Sequence, residues 1–273
     1  MRRLINIQPG WLRWPLALLP FVLLALLYGI GATLRHAENP DDKVLPPLVA
    51  MVSAVERTAL TPDKRTGEYV FWSDTGASLQ RLAIGIGGAV AIALVFGLAI
   101  GLLPMVNALL APLTTVLSMI PPMALLPILF IIFGLGELSK VVLIVVGVAP
   151  CLVRDLALAV GKLPREQIVK AQTLGASTWQ VLLRIALPQA LPRLIESLRL
   201  ALGPAFLFLI SAEAISAENG LGYRIFLVRR YLAMDVILPY VAWITLLAYL
   251  MDTALASISR RVFRWAHGAG HQG

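Results

Sequence analysis

The sequence predicts an all-α integral membrane protein, with about six transmembrane helices and a cytoplasmic helix-turn-helix loop. Three observations carry this. Of 273 residues, 59% are hydrophobic and only 14% charged, a balance foreign to soluble domains. From Leu82 to Gly136 there is no Asp, Glu, Lys or Arg. Between apolar stretches lies a basic segment, Pro164 to Pro192, dense in helix start and stop signals.

A span needs about 20 apolar residues, so Leu82 to Gly136 holds two spans and a short connection. Trp14 to Leu34 makes the first span. The remaining three run from about Leu138 to Ala159, Leu198 to Ser216 and Ala233 to Leu255. Residues 35–75 read as an extracytoplasmic segment, with turns at Asn39-Pro40-Asp41-Asp42 and Leu45-Pro46-Pro47. A short amphipathic helix is expected over Leu48 to Leu60, and Ser73 to Arg81 is expected at the interface, leading into span two. Residues 266–273 read as a disordered tail, and the chain as a single transmembrane domain over 1–273.

Basic residues set the orientation. Arg2, Arg3 and Arg13 precede the first span, which holds the N-terminus inside. That segment is too long for a signal-peptide core and lacks a clear cleavage site. Six spans return the C-terminus inside, where Arg260, Arg261 and Arg264 agree. The loop with Lys162, Arg165, Lys170, Arg184 and Arg193 is then cytoplasmic. By contrast, Arg35 to Asp74 mixes five basic with seven acidic residues. The net charge of +8 is thus explained by topology, without nucleic acid.

The basic loop has a defined expected structure. Pro164 suits the first turn of a helix and Gly175 a left-handed stop. Ser177 and Gln180 have capping-box spacing for a second helix, which is expected to end at Pro188. Trp179, Leu182, Leu183 and Ala186 fall on one apolar face of it. That face offers a partner protein a helix to lay in a groove.

Within the spans, Gly97 and Gly101 have the spacing for close helix packing, read as intramolecular in preference to a dimer seam. Pro121, Pro122 and Pro127 are expected to interrupt span three and Pro150 span four, as breaks beside a translocation path would. Glu213 follows thirteen uncharged residues toward the outer end of span five. It either lines the path or pairs with Arg224, Arg229 or Arg230. Arg199 and Asp252 read as interface anchors, and Cys151 as a buried apolar residue. His267 and His271 have metal-compatible spacing but fall in the tail, so no metal is assigned. There is no phosphate-binding glycine loop, since Gly161-Lys162 continues with Leu163. Catalytic motifs are absent too, so the chain reads as non-catalytic. An ion-coupled transporter or channel would want mid-membrane charges or inverted repeats, which the sequence lacks.

The spacing Gly175, nine residues, Ile185, one residue, Leu187-Pro188 resembles the signature loop of permease subunits in binding-protein-dependent ABC importers. Ile120-Pro121-Pro122-Met123-Ala124-Leu125-Leu126-Pro127, Phe133-Gly134-Leu135-Gly136-Glu137 and Gly220-Leu221-Gly222-Tyr223 are similar to its nitrate/sulfonate/taurine branch. The resemblance covers about Leu45 to Arg261. It departs where the family has Glu-Ala-Ala and this chain has Val169-Lys170-Ala171, with an acid only at Glu166. It implies the type I ABC importer fold in the bacterial inner membrane. It also implies a second permease copy or homologue, a binding protein outside, and ATPase subunits holding ATP and Mg. Coupling would fall to Glu166, Lys170, Ala171, Gly175, Ala176, Ser177 and Trp179, and the path to Pro121, Pro122 and Glu213. Trp72-Ser73-Asp74-Thr75 and Phe226 to Asp235 resemble permeases found with urea carboxylase-type nitrogen metabolism. They imply guanidinium or a urea-like solute ahead of sulfonates, taurine or nitrate.

The charge asymmetry generates a topology test. In a Cys151-free background, an impermeant thiol reagent added outside modifies a cysteine at Asp63 and spares one at Ser177; the reverse labelling excludes the six-span orientation.

Overall fold

A computed structural model describes residues 10–39, 42–64 and 67–267. Arg2, Arg3 and His271, invoked for topology and metal binding, lie outside them, as do residues 268–273 of the tail. Every regular element among the described residues is helical. The first, α1 (Arg13–Glu38), follows a single 3₁₀ turn at Gly10–Leu12. Only Ala32 of α1 is buried, so this helix stands apart from the rest of the chain. Tyr28 Oη ties it down by donating to the Pro46 carbonyl at 2.6 Å. The short α2 (Leu48–Ala59) forms where the amphipathic pattern places it.

Next comes α3 (Val70–Leu102), one 33-residue helix with a widened π turn at Ala93–Gly97. The segment expected at the interface and leading into span two is helical throughout and opens that span. Asp74, Ser78 and Arg81 fall on one face of it, all nearly fully buried. Polar side chains at this spacing lie on a common helix face, and the protein covers that face.

Span three is broken. α4 (Pro104–Leu117) and α5 (Pro122–Phe133) meet at 96° across Ser118 to Pro121. Pro121 and Pro122 sit at this break as expected, with Pro122 in the first turn of α5. Pro127, however, is carried inside α5. Pro150 likewise lies within α6 (Glu137–Gly161), which runs through it. One missing N–H in the middle of 25 residues leaves the flanking turns to hold the helix.

The basic loop begins with α7 (Arg165–Thr173). The second loop helix does not stop at Pro188. It runs on as α8 (Thr178–Ser216), 39 residues with a π turn at Leu182–Ala186. The widened turn immediately before Leu187 takes up the N–H that Pro188 lacks. α9 (Leu221–Arg229), α10 (Met234–Val262) and the single turn α11 (Arg264–His267) complete the described residues.

α6 and α8 form the centre, and α3 packs against α6. Leu143, Ile144, Val148, Leu152 and Leu156 of α6 are almost wholly enclosed. Cys151 lies off this stripe and is exposed, which corrects the expectation that it is buried. Gly97 and Gly101 face α6. A Cβ on Gly97 would lie 2.9 Å from Leu156 Cβ. One on Gly101 would lie 2.5 Å from Val160 Cβ and 2.8 Å from the Ala157 carbonyl oxygen. Their close packing is thus within the chain.

Alanine at Gly101 overfills this seam and is expected to cost about 1–3 kcal/mol. Gly87→Ala, where nothing lies within 4 Å, should leave stability unchanged or slightly raised. Thermal unfolding of the two variants in detergent compares them.

Candidate functional site

Two regions concentrate polar chemistry, one at each end of α8. At the Ser216 end, Arg81 is 5% exposed and Glu213 wholly buried. A guanidinium has five N–H donors in a fixed fork, and here each has an acceptor. Arg81 Nε and Nη2 grip Glu137, with Nη2 at 2.8 Å from Oε1. Nη1 donates to Glu213 Oε1 at 2.7 Å and to the Asn219 carbonyl at 2.9 Å. Nη2 also reaches Asn219 Oδ1 at 2.6 Å. Buried Lys140 donates to Glu137 at 2.7 Å. Two cations therefore meet two carboxylates, which is what burial of charge in lipid requires.

The same cluster fixes the start of α9. The first N–H groups of a helix lack intrahelical partners. Here three consecutive ones are met by side chains from other helices. Gly220 N donates to Asp74 Oδ1 at 2.9 Å, Leu221 N to Ser78 Oγ at 2.8 Å, and Gly222 N to Glu213 Oε2 at 2.9 Å. Negative charge near a helix N-terminus is favourable in addition. Gly220 has φ +121° and ψ 161°, a region essentially restricted to glycine. A Cβ there would also strike the Glu213 carboxyl carbon at 2.6 Å.

Asp74 pairs with Arg224 of α9, Nε to Oδ2 at 2.8 Å. Burial opposes the Arg224 charge, yet the hydrogen bond and charge of Asp74 hold its pKa above the ordinary arginine value. Beneath this pair, Phe71, Trp72, Tyr240 and Trp243 pack largely edge to face. Trp243 Nε1 donates to Thr75 Oγ1 at 3.1 Å.

Glu213 therefore turns into protein, and its partner is Arg81 in place of the expected Arg224, Arg229 or Arg230. Sequence reading missed Arg81 because it was assigned to the interface. The signal was the i, i+4, i+7 stripe of Asp74, Ser78 and Arg81 opening an otherwise apolar span. Pro121 and Pro122 lie at the α4–α5 break, well apart in sequence and element from this cluster. Arg199 and Asp252 pair with each other across α8 and α10, with a two-bond fork at 2.8 and 2.9 Å.

At the other end, the loop matches its expected geometry closely. Gly175 has φ +82°. Gly175 N donates to the Gln172 carbonyl at 2.9 Å and Ala176 N to the Ala171 carbonyl at 3.0 Å, the paired bonds of a Schellman stop. Ser177 and Gln180 cap the next helix reciprocally, at 2.8 and 3.3 Å. Gln189 Nε2 donates to Gln167 Oε1 at 2.9 Å and holds the two loop helices together. Glu166 and Lys170 are exposed, as are Gly175 and Ser177, while Ala171 and Ala176 are half-buried. The expected single apolar face is split. Ala186 is buried and Leu182 half-buried, whereas Trp179 is 66% and Leu183 42% exposed. The π turn rotates the residues after Val181 and separates the two pairs.

A broken span, a glycine-stopped helical loop and long apolar helices around a buried charge cluster together define a multi-pass membrane permease. The chain belongs to the family described as binding-protein-dependent transport system inner membrane component, which it matches over residues 89–264, and it is a permease subunit of an ABC importer. It is 34% identical over 260 residues to the taurine transport system permease protein TauC of Escherichia coli, covering 94% of this chain and 93% of the relative. It is 33% identical over 198 residues to the bicarbonate transport system permease protein CmpB of Synechococcus elongatus, 71% and 70% of the two chains. With the putative aliphatic sulfonates transport permease protein SsuC of Escherichia coli it shares 31% over 146 residues, 54% and 56% of the two. The fold is similar to that of a chain in the inward-facing MetNI methionine ABC transporter. The TM-score is 0.63 at 21% identity, over 73% of this chain and 99% of that one.

Removing one partner of a buried pair costs about 3–5 kcal/mol because the other charge is stranded. Arg81→Met alone should therefore lower the thermal midpoint in detergent sharply, and adding Glu213→Met should recover part of the loss. A double variant no more stable than the single would mean that the two charges do not compensate each other.

Proposed function

We propose that two copies of this chain enclose a membrane path for a small polar solute. An extracytoplasmic binding protein delivers the solute at the Arg81 end, and ATPase subunits grip the Gly175 loop on the cytoplasmic side. The observation that carries this reading is the continuity of α8. Its first turn is capped by Ser177 and Gln180 in the loop, and its last holds Glu213 in the charge cluster. At about 1.5 Å per residue, 39 residues reach across a bilayer with a turn or more to spare. Motion imposed on the loop is delivered toward the far side of the membrane along a single helix. ATP and Mg bind the partner subunits, and two access states are biased by how they hold the loop.

The solute reading rests on the environment of Glu213 and on the relatives. Glu213 is committed to Arg81, Ser78 and Gly222, so it offers a passing cation nothing. The relatives named above serve taurine, aliphatic sulfonates and bicarbonate, and we read the solute as a small sulfonate or oxyanion. Guanidinium is the second reading, favoured by the resemblance at Trp72 to Thr75 and Phe226 to Asp235.

Uptake by the reconstituted importer with its cognate binding protein tests both parts. Labelled taurine should accumulate with ATP, and guanidine uptake without taurine or bicarbonate uptake would reverse the solute assignment. Gly175→Val strains the turn by roughly 1–2 kcal/mol and should abolish uptake in a normally inserted protein. Parental uptake by that variant would remove the loop from the mechanism.

A further inference from the structure

The loop is short of acid. Between Lys162 and Arg193 it carries Lys162, Arg165, Lys170, Arg184 and Arg193 against Glu166 alone. Arg193 is met by Glu196 at 3.2 Å. Among the described residues neither Lys170 nor Arg184 has an ion-pair partner. Lys170 and Leu174 lie four residues apart on α7, so they share a face, and Leu174 is 88% exposed. Beside them opens a cleft of about 330 Å³ between the end of α7 and the start of α8. Its apolar walls are Leu174, Ala176, Val181 and Ile185, and its polar ones Gln180 and Arg184.

Gln180 Oε1 accepts from the Ser177 N–H, its Nε2 carries two donors, and the Arg184 guanidinium is purely a donor. Arg184 has no carboxylate partner among the described residues, and a planar carboxylate fits its fork. The exposed Leu174 and Trp179 flanking the cleft call for a protein surface, because such side chains gain by leaving water. Topology alone explains basic residues on this side but gives no reason for two exposed apolar side chains, Leu174 and Trp179, beside an unpaired guanidinium.

We propose that the loop seats in an acid-rimmed groove of the ATPase subunit, with one partner Asp or Glu entering the cleft to meet Arg184 and a second acid facing Lys170. This rests on the reading that the loop is the ATPase docking element, and adds the charge that the groove must carry. The charge order of this contact is basic on the permease and acidic on the ATPase.

The test uses the full permease–ATPase complex in detergent, with ATPase retention measured against salt. Arg184→Glu should weaken retention roughly tenfold, Lys170→Glu should weaken it by less, and exposed Lys162→Glu, away from the cleft, should change it under about twofold. Added salt should release the parental ATPase and act less on the Arg184→Glu complex, which keeps only the Lys170 contact. Replacing the responsible ATPase carboxylate by Lys should rescue Arg184→Glu. Arg184→Gln controls for folding, with insertion and melting as in the parent and an intermediate loss of retention. Parental retention by Arg184→Glu, alongside release by Trp179→Ala, overturns the acidic groove and leaves the docking reading standing. Parental retention by both overturns the docking reading as well. Loss of binding seen only with phosphatidylglycerol vesicles present assigns the cleft to anionic lipid and overturns the proposal.

Discussion

A single guanidinium holds the Ser216 end of this protein together. Arg81 enters from α3, and its acceptors come from α6 (Glu137), from α8 (Glu213) and from the turn before α9 (Asn219). In a hydrocarbon setting, helices gain little from apolar contact with each other, since lipid is equally apolar. Buried charge supplies what the hydrophobic effect does not: a contact that only one arrangement of the helices can satisfy. Ser78 donates to Glu213 and accepts from Leu221, so α9 can start only where α3 and α8 are already correctly paired.

Much of the fold was legible because membrane spans announce themselves by composition. The loop was legible for a different reason: caps and stops are local, and Gly175, Ser177 and Gln180 act within a few residues of each other. Pro188 was read as a helix end and Pro150 as a break in span four, but a π turn or a long flanking helix absorbs a missing N–H. The split of Trp179 and Leu183 from Leu182 and Ala186 arises from the same π turn, which no periodicity of 3.6 anticipates. Glu213 was recognised as important, yet its partner lies 132 residues away. Long-range pairing leaves only an oblique trace in sequence, here the polar stripe of Asp74, Ser78 and Arg81.

The two ends of α8 differ in how they are made. At the Arg81 end, the polar groups are paired with one another, with Arg81, Lys140 and Glu213 buried and Glu137 open to the surface. At the loop, apolar and basic side chains stand exposed with local backbone geometry as their support. A rigid end and an unfinished end on one helix suit a part that receives force from a neighbour. Between the two ends, Gly97 and Gly101 hold α3 tight against α6.

Continuity of α8 has a further consequence, which concerns angle. In an α-helix each residue turns the chain by ~100°, so the direction in which Trp179 points is locked to the direction of Glu213 by the number of residues between them. The π turn at Leu182–Ala186 enters that count as a fixed offset. A residue gained or lost anywhere between the capping box and the charge cluster would swing the loop about the helix axis by more than a quarter turn. The length of this helix is therefore a phase setting, and two surfaces on opposite sides of a membrane share a single dial.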